Sequence, residues 1–307
     1  MRWPDDRGMN PPAADIALDE ALVDRLVRAQ HPDLAGPITL VANGWDNSIY
    51  RLGDDLCVRL PRRTVAAELV RNEQRWLPVL AERVHVPIPV PVRVGEPSPD
   101  YPWAWTIGRW FRGEAAVDVP PGYRGALAAA LAEFMAELHV PAPAEAPANP
   151  VRGVPLASRT PAVHERLASG TIPQADELRA AWDRLSATPP YSGPPLWLHG
   201  DPHPANLLVE HDSRTAEARL AAVLDFGDLT AGDPATDLAA AWLVFDAEGR
   251  AAFRGHVDGL MSTDEDMWAR ARGWALLMGS AIVMHADLHP RLATVGRHTL
   301  DQVLAAT

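Results

Sequence analysis

The sequence predicts an α+β protein of two lobes, a small β-rich N-terminal lobe and a larger, mainly helical C-terminal lobe. Three observations predict it. Short β-prone runs separated by turn dipeptides crowd into the first third of the chain. Ala/Leu-rich helical periodicity dominates the remainder. Two acid-bearing loops, each on the end of a short apolar run, fall in the second part, where a cleft between lobes would place a site. At 307 residues, each lobe can bury a core without a disulfide or metal staple. The boundaries read as 1–107 for the first lobe, 108–113 for the connection and 114–307 for the second.

Asp19 to Gln30 spaces Leu22, Leu26 and Val27 as one face of a helix. Ile38 to Val41 is a short strand ending near the turn dipeptide Asn43-Gly44. Ser48–Leu52 and Leu56–Leu60 flank Gly53-Asp54-Asp55 and read as a hairpin. Thr64 is placed to cap a helix running to about Arg83, with Pro78 ending or kinking it. Val86 to Val94 alternates β-branched residues with proline, which suits an edge strand, and Trp103 to Phe111 is another strand. Tyr123 to His139 is helical, and the Pro/Ala-rich segment Pro141–Pro150 reads as a loop or linker. A helical stretch precedes the break at 188–195; the strand-like runs 196–198 and 222–224 follow, then helices from Pro234 onward. No internal repeat is evident.

Composition excludes several chemistries. The formal net charge is −12, and all 28 basic residues are arginine, with no lysine anywhere. A Schiff-base lysine, a Ser-Lys dyad and the lysine-bearing phosphate loop are therefore excluded. An acidic chain argues against a nucleic-acid partner and is compatible with a cationic small substrate. Cys57 is the single cysteine; in the apolar run Leu56-Cys57-Val58 it reads as a core residue and not a nucleophile. The start Met1–Asp6 lacks a signal-peptide pattern, and the apolar stretch around 274–286 is shorter than the ~20 residues that span a bilayer. A cytoplasmic protein without membrane partners is the expectation.

The chemistry concentrates in His199-Gly200-Asp201-Pro202-His203-Pro204-Ala205-Asn206-Leu207-Leu208 and in Asp225-Phe226-Gly227-Asp228. Phosphoryl transfer needs an acid to orient the attacking hydroxyl and oxygen donors to hold Mg²⁺ against nucleotide phosphates. In kinase sites the catalytic Asp precedes a metal-binding Asn by five positions, and a D-F-G Asp supplies the other ligand. Asp201 precedes Asn206 by that interval and Asp225 opens D-F-G. His199 and His203 have the spacing of zinc ligands on a helix, but Gly200, Pro202 and Pro204 forbid that helix, so His199 is expected to pack and orient the loop. Trp268, Trp274 and Met278 read as core, and Asp264-Glu265-Asp266 as a helix N-terminus.

On these motifs, together with Gly232-Asp233-Pro234-Ala235-Thr236-Asp237-Leu238 and the N-terminal strings Gly44-Trp45-Asp46-Asn47 and Val58-Arg59-Leu60-Pro61-Arg62-Arg63, the chain resembles the aminoglycoside phosphotransferase family, from about Gly36 to the end. These are antibiotic and small-molecule kinases with a protein-kinase-like fold. The resemblance implies Asp201 as catalytic base, Asn206 and Asp225 as Mg²⁺ ligands, and Asp233 and Asp237 as braces. It implies a nucleotide site at Gly44 and Asn47, at Arg59 in place of the usual small-lobe lysine, and at a hinge around Arg109 and Trp110. Of Glu68 and Glu73, alignment favours Glu73 as the partner of Arg59. Arginine bridges phosphate oxygens bidentately, so the replacement is chemically tolerable. ATP or GTP is the implied donor.

An aminoglycoside-like antibiotic is the implied acceptor, in a pocket built by helices between about Val151 and Ala187 and the C-terminal helices. Asp228 is a candidate acid on the substrate side, and acids of the C-terminal region would partner ammonium groups. A macrolide kinase, a metabolic kinase for choline, homoserine or a sugar, and a nucleotide-binding pseudokinase are the alternatives.

Overall fold

The computed structural model describes residues 13–211, 218–287 and 290–305. The segment Met1–Asp6 lies outside them. An N-terminal helix α1 (Glu20–Gln30) starts at Asp19, whose carboxylate accepts from the Leu22 N–H at 2.7 Å. Five antiparallel strands follow: β1 (Ile38–Asn43), β2 (Asn47–Leu52), β3 (Leu56–Pro61), β4 (Pro91–Gly95) and β5 (Trp105–Arg109), in the order β1-β2-β3-β5-β4. Between β3 and β4 lies α2 (Ala67–Leu80).

Period-two alternation sorts the side chains of this sheet. Tyr50, Leu52, Val58, Leu60, Trp105 and Ile107 face a core closed by Leu22, Val23, Leu26 and Val27 of α1. Cys57 and Arg59 therefore point to the opposite face. Cys57 departs from the expected core position: it is partly exposed, with Sγ 3.6 Å from the Arg109 carbonyl at the end of β5. Burial still pushes its thiol up to about 11, so it is no thiolate nucleophile near neutral pH.

Three predicted elements differ in extent. Thr64 does not cap α2; Thr64–Ala66 is a 3₁₀ turn, and the Thr64 N–H and hydroxyl donate to Asp15 at 2.8 and 2.9 Å. Pro78 sits in the last turn of α2. The strand expected over 86–94 begins only at Pro91, because Pro87 and Pro89 cannot donate to a ladder. The helix expected from Tyr123 opens as a 3₁₀ segment, Pro121–Leu127. There the buried Arg124 guanidinium reaches the carbonyls of Val119 and Val244.

Beyond β5 come β6 (Glu114–Ala115), α3 (Ala128–Leu138), α4 (Thr160–Leu167), α5 (Ala175–Ser186), β7 (Leu196–Leu198), β8 (Leu207–His211), β9 (Ala218–Val223) and β10 (Thr230–Gly232). The helices α6 (Ala235–Leu238), α7 (Ala240–Leu243), α8 (Ala247–Leu260), α9 (Glu265–Met284) and α10 (Pro290–Ala305) complete the chain. Strands β6-β8-β9 form one small sheet and β10-β7 another. The helix α9 is the buried spine of this part, with Trp268, Trp274 and Met278 at most 3% exposed, as their spacing predicts. Asp264 caps it by accepting from the Met267 N–H at 2.7 Å. Among the described residues, no helix is long and apolar enough to cross a membrane.

Candidate active site

The two acid-bearing loops leave the small sheets side by side and are tied to each other. His199, fully buried, carries the link. Its Nε2 hydrogen-bonds the Leu224 carbonyl at 2.9 Å, and its Nδ1 accepts from the Asp201 N–H at 3.1 Å. The Phe226 ring packs against it with centroids 4.5 Å apart. Both ring nitrogens are therefore used within the loops. Among the described residues no group of three His, Cys, Asp or Glu side chains is arranged to hold a metal.

Asp237 braces the first loop from α6. Its carboxylate accepts from the N–H groups of His199 and Gly200 at 2.7 and 2.8 Å, and lies 3.1 Å from His139 Nε2. Asp233, on the same segment, pairs with Arg270 of α9 at 2.7 Å. Gly200 has φ +89, and a Cβ there would stand 2.3 Å from the Asp228 carbonyl oxygen, so only glycine lets the two loops approach this closely.

Asp201 sits at the mouth between them. Its Oδ2 is 3.3 Å from His203 Nε2 and its Oδ1 is 3.6 Å from Arg152 Nη2. Burial alone would raise the Asp201 carboxyl, but the charge and hydrogen bond of His203, with the charge of Arg152, hold it well below the usual carboxylate range. Reciprocally, burial would lower His203, and Asp201 and Asp225 hold it above its ordinary value. Asn206 donates through Nδ2 to the Asp201 carbonyl at 2.9 Å, and its own carbonyl accepts from the Leu224 N–H at 2.8 Å. That bond places Asn206 beside Asp225.

Asp225 has φ +60, the left-handed region that a non-glycine residue occupies at a cost of about 1–3 kcal/mol. Its half-exposed carboxylate faces Arg59 Nη2 at 3.4 Å. Arg59 Nη1 donates to both oxygens of the buried Glu73 at 3.0 and 2.9 Å, whereas Glu68 is exposed. Burial opposes the Arg59 charge, yet Glu73 and Asp225 raise its pKa above the ordinary arginine value. Strand β3, helix α2 and the second loop thus converge on one ion cluster.

The other predicted residues spread further. Gly44 and Asn47 form the β1–β2 turn, where the Gly44 N–H donates to the Asn47 carbonyl at 2.8 Å. Arg109 is exposed at the end of β5, and Arg51 stacks over the Trp110 ring at 4.1 Å. Asp228 joins Asp201: its Oδ2 lies 3.4 Å from Arg152 Nη2 and its Oδ1 accepts from Asn149 at 2.8 Å.

A cavity of about 270 Å³ opens on Asp201, lined by Trp45, Arg152, His203, Met278, Ala281, Ile282, His285 and Leu292. Neither α4 nor α5 lines it. Of the span 151–187 expected to build this pocket only Arg152 reaches it. Nor do the acids 264–266 approach it; they lie at the opposite end of α9, where Glu265 pairs with Arg254. Asn149, Arg152 and His285 are absent from the motif reading, and Trp45 entered it only inside the string Gly44–Asn47, with no role of its own. The one local signal for the first two is the turn-forming sequence Asn149-Pro150-Val151-Arg152-Gly153.

The chain superposes on the GDP complex of an aminoglycoside 2'-phosphotransferase-IIIa with TM-score 0.69 and 21% identity, covering 94% of this chain and 99% of that one. It superposes on the apoenzyme of macrolide 2'-phosphotransferase MphH from Brachybacterium faecium with TM-score 0.60 and 21% identity, covering 94% and 98%. An ADP-bound aminoglycoside phosphotransferase, APH(2'')-Ib, gives TM-score 0.60 at 15% identity over 93% and 99%. These likenesses show a kinase-like fold. Among curated proteins, none matches the chain by sequence. The profile of the phosphotransferase enzyme family matches residues 37–274, and with both loops and the Arg59–Glu73 pair inside that span, the chain belongs to this family.

Proposed function

We propose that this protein transfers the γ-phosphoryl group of ATP or GTP to a hydroxyl of a small molecule, with Asp201 as the residue that holds that hydroxyl. The observation that carries the reading is the placement of Asp201 in the lining of an open cavity, on a loop bonded to the one that bears Asp225. The hydroxyl donates to Asp201, the oxygen attacks the γ-phosphorus, and the bond to the β–γ bridging oxygen breaks. The proton passes to the Asp201 carboxylate and then to solvent. A carboxylate held this far toward ionisation is a weak base, which suits a loose transition state in which the proton leaves late.

Asn206 and Asp225 fit a Mg²⁺ site: both are hard oxygen donors, and Mg²⁺ takes one or two protein ligands with waters and phosphates. When bound, Mg²⁺ would neutralise charge on the phosphate oxygens. Arg59, held by Glu73, would meet the α/β end of the nucleotide. Gly44 and Asn47 would frame the phosphates. Residues 108–113 would be the hinge, with the backbone of Arg109 and Trp110 against the purine.

An antibiotic acceptor is supported by the solved neighbours, which include macrolide as well as aminoglycoside phosphotransferases. The cavity lining favours the macrolide side. Its side chains are mostly apolar, it carries Arg152, and Asp201 is its only carboxylate among the described residues. A polyammonium acceptor needs several carboxylates, and the nearest alternative, Asp228, is already engaged by Arg152 and Asn149.

The test is a thermal-shift titration with Mg²⁺-ATP and Mg²⁺-GTP, followed by nucleoside-diphosphate release over macrolides, aminoglycosides, choline, homoserine and sugars. Turnover on one class is expected, lost by about 10²–10⁴-fold in Asp201→Asn with nucleotide stabilisation retained. Nucleotide binding with no turnover on any acceptor would establish a binding-only protein, and full turnover in Asp201→Asn would remove its role.

A further inference from the structure

We infer that Arg152 is a catalytic residue that contacts the phosphoryl group in flight, an arginine supplied in cis on the acceptor side of Asp201. The inference rests on the phosphoryl-transfer reading above and adds a group that no motif marks.

The loop between α3 and α4 is built to hold this side chain still. Asn149 Oδ1 accepts from the N–H groups of Val151 and Arg152 at 2.9 and 3.2 Å, and its Nδ2 donates to Asp228 at 2.8 Å. Gly153, at φ +66, lies so close to β7 and β10 that a Cβ would stand 3.0 Å from Leu198 and 3.1 Å from the Ala231 carbonyl. The loop is thereby pinned to both acid-bearing loops and to the sheet beneath them.

Arg152 is anchored by its stem and open at its head. Its Nε donates to the Gly200 carbonyl at 2.6 Å, which fixes the plane of the guanidinium. Among the described residues neither terminal nitrogen makes a hydrogen bond. Nη2 stands 3.6 Å from Asp201 and 3.4 Å from Asp228. Charge-assisted N–H···O bonds close to about 2.7–2.9 Å, so the two carboxylates balance the charge without saturating the donors. The side chain is only 17% exposed, and the exposed part lines the cavity. A largely desolvated guanidinium with unused donors beside a reaction centre is completed by an anionic ligand.

The position selects which anion. A hydroxyl held by Asp201 is the atom to which the phosphoryl group moves, and Arg152 stands within 3.6 Å of that carboxylate. As the bond from the γ-phosphorus to the β–γ bridging oxygen breaks and the bond to the acceptor oxygen forms, charge spreads over the three equatorial oxygens. The two terminal nitrogens of Arg152, free of hydrogen bonds among the described residues, then face that charge from the cavity side of Asp201. Products are the phosphate ester and the nucleoside diphosphate, with the hydroxyl proton released through Asp201. His203 is the other nitrogen-bearing side chain facing Asp201, and no lysine competes for this role.

The experiment measures Mg²⁺-ADP and Mg²⁺-GDP binding with and without aluminium fluoride, a mimic of the planar phosphoryl group, together with turnover on the acceptor that the screen identifies. In Arg152→Ala and Arg152→Gln, kcat is expected to fall by roughly 10³-fold, with acceptor KM and nucleotide affinity changed by no more than a few-fold. Aluminium fluoride should tighten diphosphate binding to the wild type and not to these variants. Added guanidinium should partly restore kcat to Arg152→Ala, which a merely structural role would not allow. Aluminium fluoride that tightens binding equally in wild type and both variants, or turnover within tenfold of wild type, would overturn the assignment. A wild type that binds nucleotide but shows neither fluoride tightening nor turnover would instead overturn phosphoryl transfer itself.

Discussion

Replacing Arg59 by Ala separates two consequences of one side chain. In the wild type its Nη1 bridges both oxygens of Glu73, whose side chain is 6% exposed, and its Nη2 faces Asp225. Truncation leaves a buried carboxylate with no cation, which costs about 3–5 kcal/mol. For a chain of this size that corresponds to roughly 5–8 °C in Tm. The pH dependence carries the sign of the argument. Burial pushes Glu73 above its ordinary value, and Arg59 opposes that push. Without Arg59 the folded pKa rises further, so the variant folds with proton uptake. Its stability is present below the unfolded pKa and lost as pH climbs through the folded one. The gap from wild type should therefore be smallest near pH 5 and widen toward pH 8 in urea unfolding. Arg59→Lys retains the charge and recovers much of the stability, but one ammonium cannot bridge Glu73 and reach Asp225 together. Replacing the pair, Arg59→Met with Glu73→Leu, should be near neutral in stability and still weaken nucleotide binding at least tenfold. An Arg59→Ala variant within about 1 kcal/mol of wild type at pH 8, or a gap that ignores pH, would refute the reasoning.

Two further outcomes follow from the geometry. Gly200→Ala forces a Cβ to 2.3 Å from the Asp228 carbonyl at φ +89, and should destabilise by about 3 kcal/mol or more and abolish turnover; an unchanged urea midpoint would contradict the close approach of the loops. Cys57, with its thiol at about 11, should react slowly with maleimide at pH 7.5 and about tenfold faster per pH unit up to that value. Because it faces the side of β3 that carries Arg59, saturating Mg²⁺-nucleotide should slow the reaction at any pH, and a rate that nucleotide leaves untouched would place the purine elsewhere.

The parts of this site legible in the sequence are those whose chemistry is local. Asp201 and Asn206 share one loop, so their spacing alone brings them together, and Asp225 follows on the neighbouring strand end. Arg59 and Glu73 come from the family resemblance, as the position of the usual lysine and as the acid that alignment favours, and in the fold the two side chains meet. The small lobe's sheet was legible because alternation survives wherever one face is buried. What escaped depends on tertiary reach. Trp45 meets His285 across the cavity with ring centroids 5.7 Å apart, from opposite ends of the chain. Met278 read as core by its spacing and is buried, yet it also lines the cavity at Asp201. Asp233 and Asp264 look alike as loop acids; one pairs with a buried arginine and the other caps a helix, and only the fold distinguishes them.

The absence of lysine takes its meaning from where the arginines lie. Lysine would bring a mobile point charge on a long stem, whereas guanidinium brings a planar fork that can be anchored through one nitrogen and presented through the others. Both arginines at this site are anchored in that manner, Arg59 through Nη1 on Glu73 and Arg152 through Nε on Gly200. Each turns a remaining nitrogen toward an acid of one of the two loops, Asp225 in the first case and Asp201 in the second. A planar fork permits this double use, anchoring through one nitrogen and facing an acid with another, and an ammonium does not. If the pairing is functional, exchanging either arginine for lysine should weaken its own end of the reaction alone: nucleotide affinity for Arg59→Lys, and kcat at unchanged nucleotide affinity for Arg152→Lys.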